Sequence, residues 1–146
     1  MNNISIIPIK NLPEFEPKHD LADEIIKSFS SNNFVLEDKD VIVITQKIVS
    51  KVEDRLIKND NESIEKLIQQ ESLEILRKRG DTVIARTKHG FICANAGIDK
   101  SNIEKGLVLL LPEDPDKTSR AVSYTHLRAH ETPEHRVWRL LGEKKK

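Results

Sequence analysis

The sequence predicts an α/β or α+β fold, a mixed β-sheet of five or six strands with two main helices and short connectors. Three observations carry that expectation. Residues 41–44 (Val-Ile-Val-Ile) and 107–111 (Leu-Val-Leu-Leu-Leu) are uninterrupted apolar runs, the pattern of strands covered on both faces. Residues 81–87 and 91–95 are β-rich and flank Lys88-His-Gly90, the composition of a tight hairpin turn, and such pairing argues against a purely parallel sheet. Apolar side chains also recur at three- and four-residue steps over residues 21–29 and 63–79, the period of amphipathic helices.

Taken in order, Ile4, Ile6, Ile7 and Ile9 predict an N-terminal strand. The following Lys10-Asn-Leu-Pro-Glu-Phe-Glu-Pro-Lys18 contains Pro13 and Pro17 and predicts an extended loop, either a ligand cradle or a plain connector. Asp20 predicts a helix N-cap, with Asp23 and Glu24 in the first turn where negative charge complements the helix dipole. Leu21, Ala22, Ile25, Ile26 and Phe29 supply one apolar face, and Ser30-Ser-Asn-Asn33 closes the helix in a polar loop.

The run at 41–44 opens into Thr45-Gln-Lys-Ile-Val-Ser-Lys51. In α/β sheets ligands gather beyond the carboxyl ends of strands. Lys47 and Lys51 stand four residues apart, so one helical turn points both ammonium groups the same way. With Thr45, Gln46 and Ser50 they compose a phosphate pocket or, equally, a solvated amphipathic turn. The glycines of a Walker loop are missing. Residues 55–58 predict a short strand. The helix over 63–79 carries Ile64, Leu67, Ile68, Ile75 and Leu76, with Arg77-Lys-Arg79 against its C-terminal dipole and Gly80 at the cap.

After the hairpin, Asn95-Ala-Gly-Ile-Asp99 has the small residues of a sharp backbone turn. Asp99 and Asn102 then lie at the end of a buried strand, a usual address for binding groups. A carboxylate and a carboxamide so spaced fit one metal–phosphate site. They also fit a local cap on a helix starting near Lys100, and spacing alone favours the cap. The acidic Pro112-Glu-Asp-Pro-Asp116 reads as a surface turn rather than a metal site.

Composition narrows the classes. Among the 146 residues Lys plus Arg and Asp plus Glu both number 24, so net charge argues for neither nucleic acid nor a membrane surface. The length suits one domain. A single cysteine, Cys93, excludes a disulfide framework and fits a reducing cytosol. The chain start lacks a signal peptide's basic and apolar regions, and no run approaches the roughly 20 apolar residues of a membrane span. The expected location is cytoplasmic.

Residues 122–146 differ, with six basic and three acidic side chains, His126, His130 and His135, and the only Tyr and Trp. His130-Glu-Thr-Pro-Glu-His135 is not the His-Glu-x-x-His zinc pattern, and Pro133 would break a helix presenting the ligands. Ser123-Tyr-Thr-His-Leu-Arg-Ala-His-Glu-Thr132 resembles the conceptual translation of a sequencing adapter. Residues 1–121 are read as the domain, and 122–146 as a non-native, adapter-like or disordered tail.

Four motifs in order carry a family resemblance: Pro8-Ile-Lys-Asn-Leu-Pro13, Val43-Ile-Thr-Gln-Lys-Ile-Val-Ser-Lys-Val-Glu53, Lys88-His-Gly-Phe-Ile-Cys-Ala-Asn-Ala-Gly-Ile-Asp-Lys-Ser-Asn102 and Leu109-Leu-Leu-Pro-Glu-Asp-Pro-Asp116. On these, residues 4–120 resemble the N-terminal part of the coenzyme F420-0:L-glutamate ligase (gamma-glutamyl ligase) family. The resemblance implies a GTP-dependent amide ligase in coenzyme F420 biosynthesis. It would join L-glutamate through its amine to the terminal carboxylate of the deazaflavin precursor F420-0, by way of an acyl phosphate.

The resemblance further implies Mg²⁺ or Mn²⁺ and a homodimer, with F420-0, L-glutamate and GTP as partners and neither nucleic acid nor membrane. By position, Lys10, Asn11, Leu12 and Pro13 would lie along the nucleotide. Gln46, Lys47 and Lys51 would hold its phosphates, Asn102 would contact GTP, and Asp99 would bind the metal. Family members continue past the Pro-Glu-Asp-Pro turn into an Ile-Thr-Asp-Thr segment that completes the metal site, whereas here the tail follows. Two alternatives stay open: a truncated, inactive fragment of that ligase, or a related ligase acting on another carboxylate acceptor.

Overall fold

The computed structural model describes residues 4–37, 40–58, 63–100 and 106–126. The chain is α+β, and its described residues form four helices and two antiparallel sheets rather than one mixed sheet. Helix α1 (Leu21–Ser31) starts where the sequence places it, since the Asp20 carboxylate accepts the Asp23 N–H at 3.0 Å. That bond satisfies one of the donors orphaned at any helix start. Leu21, Ala22, Ile25 and Phe29 are buried along one face. Each large member contributes roughly 1.5–3 kcal/mol on full burial. They meet Phe15, Val49 from α2 (Gln46–Val52) and Val122 from α4 (Pro115–His126) in the first core. The division expected between residues 121 and 122 lies inside α4.

Two expected strands are absent from the described residues. Ile4 and Ile6 are 92% and 94% exposed and residues 4–9 pair with no strand. Only Ile9 reaches the first core. Residues 41–44 are extended but unpaired: Ile42 and Ile44 pack on the first core while Val41 and Val43 face outward. The β-branched run therefore covers one face of a core instead of filling the centre of a sheet.

The short strand expected at 55–58 forms as β1 (Leu56–Lys58) and pairs antiparallel with β5 (Leu107–Leu109), Leu56 opposite Leu109. Val108, Leu109 and Leu110 are buried, as the continuous apolar run predicts.

The single helix expected over 63–79 divides. Helix α3 covers Ser63–Glu71, and β2 takes Ser72–Arg79. Only the first part has a core to face, because Ile68 with Ile64 packs on Val83 and Ala85 of β3 (Thr82–Thr87) and on Ala96. From Ser72 onward the backbone of β3 supplies hydrogen-bond partners, and pairing overrides the helical spacing of Ile75 and Leu76, both about half exposed. Arg77-Lys-Arg79 is accordingly a strand end and not a helix cap. Gly80, at φ +56, sits in the two-residue loop between Arg79 and Thr82.

The hairpin read around Lys88-His-Gly90 is present, with β3 antiparallel to β4 (Ile92–Ala94). Thr87 closes it by donating its N–H to the Phe91 carbonyl at 2.8 Å and accepting the Gly90 N–H at 2.9 Å. Strand β4 is a short, mostly exposed edge and not a buried strand. No helix among the described residues is long and apolar enough to cross a membrane.

Candidate functional site

Asp99 owes its position to an unusual turn. Asn95, Ala96 and Gly97 have φ of 49°, 54° and 76°, three successive residues in left-handed backbone. That region is open to glycine and tolerable for asparagine, but it costs an alanine roughly 1–2 kcal/mol. The surroundings hold the strain in place. Ala96 is 1% exposed in the second core, and the Asn95 Oδ1 accepts the Val83 N–H at 2.9 Å. The chain then straightens, and Asp99 and Leu109 exchange two backbone hydrogen bonds, both 2.9 Å.

Helix α2 presents Lys47 to this point. Its Nζ lies 2.9 Å from Asp99 Oδ2, with both side chains about one-third exposed (31% and 32%). One turn along, Lys51 pairs with Glu14 from the loop at 10–18. The same loop is tied to α2 by the Lys18 N–H bonding the Val52 carbonyl at 3.0 Å. The Gln46 amide turns inward and donates to the buried Ser50 hydroxyl at 3.3 Å. Pairs this exposed add little net stability, because water screens them. Their charges are therefore easily reassigned to an anionic ligand.

The loop itself is anchored from α1. The Lys10 carbonyl accepts the Ser28 hydroxyl at 2.6 Å and the Asn32 amide at 3.0 Å, and Asn11 takes φ +61. Leu12 packs on the first core, and Pro13 is exposed. Sequence reasoning passed over Ser28 and Asn32. Ser28 lies on the buried face of an otherwise apolar stripe, a placement that signals a polar side chain with a designated partner.

Of the expected site residues, Lys47 and Asp99 are thus brought together, Lys51 engages Glu14, and Lys10 is held through its carbonyl. Asn102 lies outside the described residues. Asp99 offers the hard oxygen donor that suits Mg²⁺ or Mn²⁺. No group of three His, Cys, Asp or Glu side chains gathers in a metal-binding arrangement among the described residues. The donor set fits such an ion in kind and in part.

The Lys51 hydrogen bond, and then its charge, hold the Glu14 carboxyl below the usual carboxylate range. A depressed carboxyl contributes fully above its unfolded pKa, and that contribution is lost as pH falls through the lower folded value. Carbon-13 NMR titration is expected to place the Glu14 midpoint below that of free glutamate, and Lys51→Met to restore it. An ordinary midpoint in the unsubstituted protein would show that the pair does not form in solution.

Residues 10–132 match the family described as F420-0:Gamma-glutamyl ligase. The Coenzyme F420:L-glutamate ligase of Methanothermobacter thermautotrophicus is 35% identical over 139 residues, covering 84% of this chain and 55% of that protein. A protein of the same name from Methanococcus maripaludis is 41% identical over 108 residues, covering 62% of this chain and 43% of its own length. The chain therefore spans about half the length of the curated relatives it matches.

Proposed function

Because this chain belongs to the F420-0:gamma-glutamyl ligase family, we propose that it provides the nucleotide-handling part of a GTP-dependent ligase that adds L-glutamate to F420-0. The observation that carries the reading is the pairing of Lys47 with Asp99 beside Lys51, one turn on along the same helix. A free carboxylate is a poor electrophile. In the proposed reaction an F420-0 carboxylate oxygen bonds to the γ-phosphorus of GTP, and GDP departs with the electrons of the broken P–O bond. The glutamate amine then attacks the resulting acyl phosphate, loses a proton and expels inorganic phosphate.

Lys47 and Lys51 neutralise the phosphate oxygens during transfer, exchanging their carboxylate partners for them. The loop at Lys10, Asn11, Leu12 and Pro13 lies along the nucleotide, with its backbone set by Ser28 and Asn32. Gln46 and Asn102 complete the contacts to GTP. Asp99 would hold Mg²⁺ or Mn²⁺, which supplies Lewis-acid charge at the phosphates. We place the enzyme in the cytoplasm as a homodimer, acting on small molecules and on neither nucleic acid nor membrane.

Binding of Mn²⁺·GTP tests the assignment on the chain itself. Lys47→Met and Asp99→Asn are each expected to weaken it about tenfold, the equivalent of roughly 1.4 kcal/mol. Affinity unchanged in both variants would remove these residues from the nucleotide site.

A second reading rests on there being no group of three His, Cys, Asp or Glu side chains able to hold a metal among the described residues. The 146-residue chain then binds nucleotide but releases no GDP when given F420-0, L-glutamate and Mn²⁺. Turnover that Asp99→Asn abolishes would overturn it.

A further inference from the structure

We infer that Arg55 is a positioning residue, the strut that keeps Lys47 within reach of Asp99; the inference rests on the functional reading just given. Lys47 and Asp99 belong to different parts of the fold, one on α2 and the other after the left-handed turn, so their 2.9 Å separation needs a rigid connection. Arg55 contributes four hydrogen bonds around it, two from its backbone and two from its guanidinium. Its N–H donates to the Ser50 carbonyl at 2.9 Å, fixing it to the end of the helix that carries Lys47. Its carbonyl accepts the Leu110 N–H at 3.0 Å. Its Nε donates to the Leu111 carbonyl at 2.9 Å, and its Nη2 to Glu71 Oε2 at 2.8 Å.

The residues held in this way control Asp99 from two sides. Leu109, next to Leu110, bonds the Asp99 backbone in both directions. Leu111 is the wall against which Gly97 turns, its side chain lying within 3 Å of where a Cβ on Gly97 would stand. The far end of the strut is itself anchored, because the Glu71 carbonyl accepts the Lys88 N–H at 3.2 Å and its carboxylate faces Lys88 Nζ at 3.6 Å. A flat guanidinium reaches a carbonyl and a carboxylate at fixed angles together, whereas a lysine ammonium has one mobile point of charge.

The test is a double-mutant cycle on ligand-free protein. Stability in urea is measured for the parent, Lys47→Met, Asp99→Asn and the double variant, in the native and in the Arg55→Lys background. A cycle cancels losses common to all corners and reports only the coupling between the two side chains. Coupling is expected in the native background and is expected to fall at least twofold with Arg55→Lys, which keeps both backbone bonds and a cation for Glu71 but loses the Nε bond to the Leu111 carbonyl. The same result is expected for Arg55→Met where that variant folds.

Coupling that falls less than twofold while all four corners lose equal stability would make Arg55 an ordinary structural residue. Absence of coupling in the native background would leave nothing to position and would also overturn the inference. Mn²⁺·GTP affinity separates this from the functional reading. Coupling reduced with Arg55→Lys while affinity is unmoved by Lys47→Met and Asp99→Asn would leave the strut standing and sink the nucleotide site.

Discussion

Gly97→Ala is expected to lower stability by about 2–5 kcal/mol, read as an earlier midpoint in urea with an unchanged slope. Two independent costs add at this position. The backbone stands at φ +76, where any Cβ carries a penalty of roughly 1–2 kcal/mol. The new methyl would also lie 2.8–2.9 Å from the Cγ and both Cδ atoms of Leu111. Turning only the Cδ tip does not clear Cγ, so the whole Leu111 side chain must leave its rotamer to admit the methyl. Forcing extra volume into a packed site costs typically about 1–3 kcal/mol. A midpoint equal to that of the unsubstituted protein would mean that the turn at Asn95–Gly97 is looser than described.

Leu109→Ala is expected to cost roughly 2–5 kcal/mol, the range for emptying a leucine-sized space in a core. Leu109 is fully buried and stands at a junction, opposite Leu56 in one strand pair and bridged to Asp99 on its other side. Its backbone bonds survive the substitution, so the loss is one of packing. A loss under about 1 kcal/mol would show that the site collapses around the smaller side chain.

Local chemistry made parts of this fold legible in the sequence. The Asp20 cap, the Leu21-to-Phe29 stripe and the Lys88-His-Gly90 turn each depend on residues only a few positions apart, and each forms as read. The misreadings share one cause, an apolar pattern whose meaning depends on what lies opposite. Residues 41–44 look like a central strand until a helical core covers only Ile42 and Ile44. Ile75 and Leu76 continue a helical period, yet β3 claims their backbone.

The site shows the same division. Lys47 and Lys51 fall on one helix because their spacing is local. Their partners, Asp99 and Glu14, come from 52 and 37 residues away, distances that no spacing rule spans. Arg55 carries no motif at all. Its importance lies in carbonyls contributed by residues 50 and 111, which only the folded chain brings within reach.

The paired hydrogen bonds between Asp99 and Leu109 also close a ring of chain. The entropy lost in closing such a ring grows only with the logarithm of its length, so doubling the enclosed segment costs about 0.6 kcal/mol. Two backbone bonds at the neck, about 0.5–1.5 kcal/mol each, are together larger than that increment, so the carboxylate at its root stays fastened to buried β5.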